Sequence, residues 1–259
     1  MEAAFFDLDK TVIARSSTLA MGRPMMREGL ISRSDALRSL YAQLVYQLQG
    51  ADDQQMERMR VALQDLSKGW KQTEVQRLVD ETLIDVLEPS IHPEALELIR
   101  VHREAGRRVY IVSSSGIEVV RAFANSIGVP HVIATRGEID DNGCYTGELL
   151  FYCYGTGKQI AMREEAARIG IDLANSYAYS DSITDLPMLE TVGHPNTVNP
   201  DKDLRAVALE REWPILEWRN PVSLRSKLPP MPTSPPPAAA LAAGAAAAVA
   251  FAWALRRRR

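Results

Sequence analysis

Short, wholly apolar runs alternate along most of this chain with stretches in which apolar positions recur every three or four residues. That alternation predicts an α/β fold. The run at 3–6, Ala-Ala-Phe-Phe, shows no polar alternation, as expected of a strand covered on both faces. Further strands are predicted at 108–112, 132–135, 176–179 and 197–199, with an extended segment at 214–218. Helices are predicted between them: 93–105, closed by Gly106; 117–127, opened by Ser113-Ser114-Ser115-Gly116; and 159–169, after Gly155-Thr156-Gly157-Lys158. A short helix at 186–191 and another at 203–211 complete the series. Residues 138–149 read as a hairpin turning on Asp141-Asn142-Gly143. This rhythm implies a doubly wound parallel, Rossmann-like sheet.

A different pattern fills the gap between the first two strands. A connector of small and turn residues follows Thr11; then Leu37, Leu40, Tyr41, Leu44, Val45 and Leu48 fall at helical spacing, with Ser34 as N-cap and Gly50 as stop. Met56, Met59, Leu63 and Leu66 line a second helix at 52–67, and Val75, Leu78, Val79, Thr82, Leu83 and Val86 a third at 73–88. Stripes of this kind are packing faces. The expected organisation is a core of 1–15 and 89–220 with an inserted α-helical module at 16–88. Beyond it, 221–237 is a proline-rich, extended linker, and 238–259 is an Ala-rich hydrophobic tail with a basic end.

Composition narrows the choices. At 259 residues the chain can bury one good core and a satellite, and its formal charge of -3 comes with no basic stripe, so nucleic acid is not an expected partner. Cys144 and Cys153 lack metal-ligand spacing and histidines are few, so any metal should be a hard, oxygen-bound one. No leader is expected ahead of the first strand, and the body is expected to fold in reducing cytoplasm. The uncharged run 238–255 comes close to the about 20 apolar residues that span a bilayer, but alanine contributes little to insertion. It reads either as an attachment to the inner face of the membrane or as an unanchored, partly helical tail.

Candidate chemistry gathers at strand ends. Asp7 and Asp9 lie two apart and project together from the carboxyl end of the first strand, where open α/β sheets bind ligands. Two carboxylates side by side call for a cation or a shared proton; the competing reading is an Asp-rich turn. Ser113, Lys158, Asp181 and Asp185 also sit at loops that a doubly wound sheet would bring to one edge. Together they supply the groups that phosphoryl transfer needs: a carboxylate nucleophile, a second carboxylate for protons, Mg²⁺, a hydroxyl beside helix N–H groups, and a lysine.

The motif Asp7-Leu8-Asp9-Lys10-Thr11, followed in order by Ser113, Lys158 and Asp181 with Asp185, resembles that of the haloacid dehalogenase-like phosphatases. The resemblance covers residues 3 to about 218. It implies Asp7 as nucleophile and Asp9 as general acid/base. Mg²⁺ would be bound by Asp7, the Asp9 carbonyl and Asp181, with Asp185 ordering the metal's surroundings. Substrate phosphate would meet Ser113, Ser114 and Lys158, and 16–88 would be a helical cap closing over the site. Within the family the chain looks most like the phosphoserine phosphatases. Those enzymes place a Glu nine residues after the nucleophile to bind the substrate's ammonium group, and here that position is Ser16. A neutral hydroxyl does not balance a positive charge, and nearby Arg15 suggests a more anionic or polyol substrate, the competing reading being an exposed loop charge.

The leading expectation is a Mg²⁺-dependent phosphatase acting on a small phosphorylated substrate through an aspartyl-phosphate. A glycerol-phosphate or lipid-phosphate phosphatase working at the membrane, and a non-catalytic scaffold that binds a phosphorylated ligand, are the alternatives.

Overall fold

Five consecutive buried residues place β1 (Ala3–Asp7) at the centre of the molecule. Its side chains alternate between two apolar layers. Ala4 and Phe6 enter one with Ile99, Ile111 and Phe123; Ala3 and Phe5 enter the other with Val112, Met162, Met188 and Leu204. Burying a phenylalanine contributes roughly 2–3 kcal/mol, so Phe5 and Phe6 anchor the strand that carries Asp7. The computed structural model describes residues 1–31, 61, 64–65 and 67–219. The helices expected at 37–48 and most of that at 52–67 lie outside the described residues, as do the linker 221–237 and the tail 238–259.

After α1 (Ser17–Arg27), the helices α2 (Gln72–Leu87), α3 (Pro93–Glu104) and α4 (Ile117–Ser126) supply the first apolar layer. The second comes from α5 (Thr156–Ile169), α6 (Leu186–Leu189) and α7 (Lys202–Glu210). Between the layers, β1 joins β2 (Arg108–Gly116), β3 (His131–Ile139), β4 (Tyr145–Phe151), β5 (Tyr177–Ser180), β6 (His194–Val198) and β7 (Ile215–Leu216). The order is β4-β3-β2-β1-β5-β6-β7, parallel throughout except for β4, which pairs antiparallel with β3. The sheet is therefore doubly wound, and the chain changes direction of winding between β1 and β5. Crevices at such a switch are where this architecture takes its ligands.

Several elements differ from the sequence reading, β3 among them, which runs unbroken from 131 to 139. The stretch after Thr11 is not only a connector, since it contains α1; Gly22 and Pro24 disguise a helix whose Met21 and Met25, four apart, pack on the core. β2 runs on through the serines to Gly116, because its pairing with β3 needs backbone groups and not apolar side chains; the register shifts between Ser113 and Gly116. The strand at 197–199 begins earlier, at His194, where Pro195 and Asn196 conceal it. The hairpin turn does fall at 141–143: the Asp140 side chain accepts from the Asn142 and Cys144 N–H groups, and Gly143 takes φ 76°.

The segment between β1 and β2 returns to the core as an added edge. Gly69 N–H donates to the Tyr145 carbonyl, Tyr145 N–H to Trp70, and Gln72 N–H to Gly143, at 2.8, 2.9 and 3.0 Å. Residues 69–72 thus extend the β3–β4 hairpin before α2 begins.

On the far side of β1, His102 of α3 is 2% exposed, and its Nε2 lies 2.8 Å from the Tyr179 hydroxyl. Burial, with the Arg107 charge adding, lowers its pKa to about 4. The unfolded chain would take up this proton near pH 6.5, whereas the folded protein resists it until about pH 4. The stability that His102 supplies is therefore complete above pH 6.5 and is lost as pH falls toward 4. Urea unfolding should show a loss of about 2–3 kcal/mol across that window, absent in His102→Gln. Parallel pH profiles in the two proteins would refute it.

Candidate active site

At the carboxyl end of β1 the chain turns sharply. Lys10 adopts φ 62°, and Ile13 N–H donates back to the Leu8 carbonyl at 3.0 Å. Asp7 closes the strand, 5% exposed, and the turn holds Asp9 half-buried beside it. The register sets Asp7 opposite Val112 of β2 and pairs Phe6 with Tyr179 of β5. Ser113 and Ser180, both fully buried, are therefore the next residues on the flanking strands.

Lys158 reaches the same point from the first turn of α5. The helix can start there because Gly157 lies against the end of β4: a Cβ at this position would stand 2.2 Å from the Tyr152 carbonyl oxygen. The Lys158 ammonium, 3% exposed, donates to Asp7 Oδ1 at 2.5 Å and to Asp185 Oδ2 at 2.7 Å. Asp185 Oδ2 also accepts from Ser180 Oγ at 2.6 Å. Asp9 has different partners: Oδ1 accepts from the Ser17 N–H, and Oδ2 from Ser115 Oγ at 3.0 Å.

Asp7 and Asp185 share one buried ammonium with Asp9 and Asp181 close by, and the protonation of Asp7, Asp9 and Asp181 responds. Burial pushes Asp7 well above the ordinary carboxylate range; Lys158 opposes this, while Asp185, Asp181 and Asp9 reinforce it. Burial also raises Asp9, against its hydrogen bonds from Ser17 and Ser115. Asp181 is pushed up to about 7, first by burial and then by Asp185, with Lys10 and Lys158 pulling the other way. Burial alone would drive Lys158 down, but the Asp185 and Asp7 charges overcome it and hold the ammonium above its usual range. Cys153, close by, is no competing nucleophile, because burial pushes its thiol up to about 12.

Asp7, Lys158 and Asp185 thus touch, Asp181 interacts electrostatically with Asp7, and Ser113 stands at the next strand position. Ser114 is exposed, with its carbonyl accepting from Thr135 Oγ1, and Ser16 is half-buried just ahead of α1. Arg15 does not support the anionic-substrate suggestion. Its guanidinium donates to the Val86 carbonyl and to Ser90 Oγ, so it caps the C-terminus of α2, where a cation is electrostatically favoured. Lys10, Ser17, Ser115 and Ser180 are members that the sequence reading left out. The triple-serine run and the Ser-Asp-Ser that closes β5 were the available signals.

Among the described residues no three His, Cys, Asp or Glu side chains form a metal cage by themselves, and no helix is long and apolar enough to cross a membrane. The donor set nevertheless fits one hard divalent ion. Asp7 and Asp181 offer carboxylate oxygens in a region of excess negative charge, and Mg²⁺ commonly takes one or two carboxylates and fills its remaining positions with water and substrate oxygens.

Acidic groups gathered around one ammonium, at the switch point of a doubly wound sheet, fit a hydrolase of the phosphoryl-transfer type. Comparison with known proteins agrees: the model of the haloacid dehalogenase-like hydrolases matches residues 4–190, and the chain belongs to that family. A probable phosphatase of Mycobacterium tuberculosis is 52% identical over 227 residues, 88% of this chain and 79% of that protein. A phosphoserine phosphatase of the same organism is 34% identical over 220 residues, 84% of this chain and 71% of its own length. Among solved structures, a Bordetella pertussis protein of unknown function superposes with a TM-score of 0.73 at 29% identity, covering 83% of this chain and 97% of that one. The chain is a phosphatase of this family.

Proposed function

We propose that this phosphatase hydrolyses a small phosphomonoester through an aspartyl-phosphate on Asp7, in a Mg²⁺-dependent reaction. The observation that carries the reading is the division of labour among the carboxylates. Asp7 and Asp185 share the buried Lys158 ammonium, whereas Asp9 is held apart by Ser17 and Ser115. An Asp7 oxygen attacks phosphorus, the bond to the ester oxygen breaks, and its electron pair leaves on that oxygen, which takes a proton from Asp9. The raised pKa of Asp9 suits it to carry that proton. Asp9, now ionised, then accepts a proton from water. The water oxygen bonds to phosphorus as the acyl-phosphate bond breaks, releasing inorganic phosphate and restoring Asp7.

Ser113, Ser114 and the N–H groups at the head of α4 would hold the phosphate oxygens, and Lys158 would balance the charge of the transferred group. The ion would be held by Asp7, Asp181 and the Asp9 carbonyl, with Asp185 supporting the surroundings. When bound, Mg²⁺ supplies neutralisation of the charge gathering on the phosphoryl group. Residues 16–88 would close over the site as a cap and exclude water. Ser16, a neutral hydroxyl where phosphoserine-type enzymes carry Glu, favours a substrate without an ammonium group near its phosphate.

Nothing in the described residues favours a membrane-working lipid-phosphate enzyme, and the retention of Asp7, Asp9, Lys158 and Asp181 disfavours a silent scaffold. Chelation by EDTA should abolish turnover of 4-nitrophenyl phosphate, and added Mg²⁺ should restore it. Acid-quenched enzyme should carry one phosphoryl group, on the peptide containing Asp7. Turnover without divalent metal, or a phosphoryl group on another residue, would defeat the reading.

A further inference from the structure

One hydroxyl near the site has every hydrogen-bonding position in use. Ser115 Oγ lies 3.0 Å from Asp9 Oδ2, 2.9 Å from Ser17 Oγ and 3.2 Å from Thr18 Oγ1. A serine hydroxyl has one proton and two lone pairs. With the proton given to Asp9, Ser115 accepts from Ser17 and Thr18, so its capacity is filled and the direction of its proton is set. Its backbone is set as well, since Ser115 N–H donates to Ser113 Oγ at 3.1 Å within the irregular pairing of β2. Ser115 is 6% exposed and Ser17 fully buried, so water does not readily replace either partner.

The terminal torsion of an aspartate is soft and roughly two-fold, so a carboxylate held at one oxygen still swings. Asp9 is held at both: Oδ1 by the Ser17 N–H and Oδ2 by Ser115. The two holders come from different parts of the fold, β2 of the core and the first residue of α1 in the inserted segment. The Ser17 and Thr18 hydroxyls join them through Ser115.

From this geometry we infer that Ser115 is a positioning residue, which aims the Asp9 carboxyl at the leaving oxygen and makes that aim depend on the docking of α1. The inference rests on the acid/base role proposed for Asp9. Proton delivery matters most when the leaving group is a weakly acidic alcohol, and least when it is a nitrophenol that departs unaided. Loss of aim should therefore discriminate between leaving groups, which a general loss of packing does not do.

The test is kcat/KM, which reports the first chemical step, measured with glycerol 2-phosphate and with 4-nitrophenyl phosphate. Ser115→Ala is expected to lose about 10-fold or more on the alkyl ester and no more than about 3-fold on the aryl ester, with inhibition by inorganic phosphate unchanged. Ser115→Thr restores the hydroxyl and should restore the wild-type ratio. Ser17→Ala, which keeps the N–H and removes one hydroxyl, should shift the ratio in the same direction by less; it decides the matter should Ser115→Ala not fold. Equal losses on both esters, an unchanged ratio, or a Ser115→Thr protein that behaves like the alanine variant would overturn the inference. Asp9→Asn separates the two levels. A leaving-group bias there without one at Ser115 defeats only the positioning role, whereas no bias at Asp9 defeats the acid/base assignment itself.

Discussion

Asp7→Asn should reduce phosphatase turnover by ~10⁴-fold or more and leave the protein folded and at least as stable as the wild type. The amide preserves shape and can still accept from Lys158, but its oxygen is a poor nucleophile. The stability half of the prediction follows from the site's electrostatics. Burial, reinforced by Asp185, Asp181 and Asp9, pushes Asp7 far from its ordinary range, so the native carboxylate is a strained presence kept for chemistry. A neutral side chain relieves that strain. Hydrolysis of 4-nitrophenyl phosphate, measured beside thermal unfolding by circular dichroism, checks both halves. Retention of more than about 1% of wild-type turnover would remove Asp7 from the mechanism.

Lys158→Met should cripple both activity and stability. The ammonium is the buried partner common to Asp7 and Asp185, at 2.5 and 2.7 Å, and each of the three side chains is under 10% exposed. Removing one member of such a cluster leaves carboxylates facing each other with little water, a loss on the order of 3–5 kcal/mol. The transferred phosphoryl group also loses a preorganised positive charge, commonly about 10²-fold or more in kcat. The two effects separate in the double variant: adding Asp185→Asn to Lys158→Met should recover much of the stability and none of the turnover. Urea unfolding and steady-state kinetics on all four proteins complete the cycle. Coupling near zero between the two positions would show that the cluster is not the unit described here.

The sheet was legible because β1 and most later strands are either apolar without interruption or flanked by helical periodicity, and both signals survive in a single sequence. The charged groups were legible for a related reason, since Asp7, Asp181 and Lys158 stand at ends of such elements. What stayed hidden depends on partners distant in the chain. α1 was obscured by Gly22 and Pro24. Arg15 read as a substrate contact or a loop charge because nothing local reveals that the end of α2, 71 residues on, takes its guanidinium. Ser115 could not be told from Ser113 and Ser114 until the irregular pairing with β3 showed which hydroxyls face the site.

The central position of β1 has a kinetic corollary for refolding. Asp7 meets its surroundings only when the ladder sets it opposite Val112 and sets Phe6 opposite Tyr179. A slip of one residue would send every side chain of the strand to the other face, directing Asp7 into an apolar layer and a phenylalanine toward the edge. A chain that has collapsed with the wrong alignment is therefore inert, however much secondary structure it regains. The return of catalysis after dilution from denaturant would time the locking of the three innermost strands, independently of the spectroscopic recovery of helix.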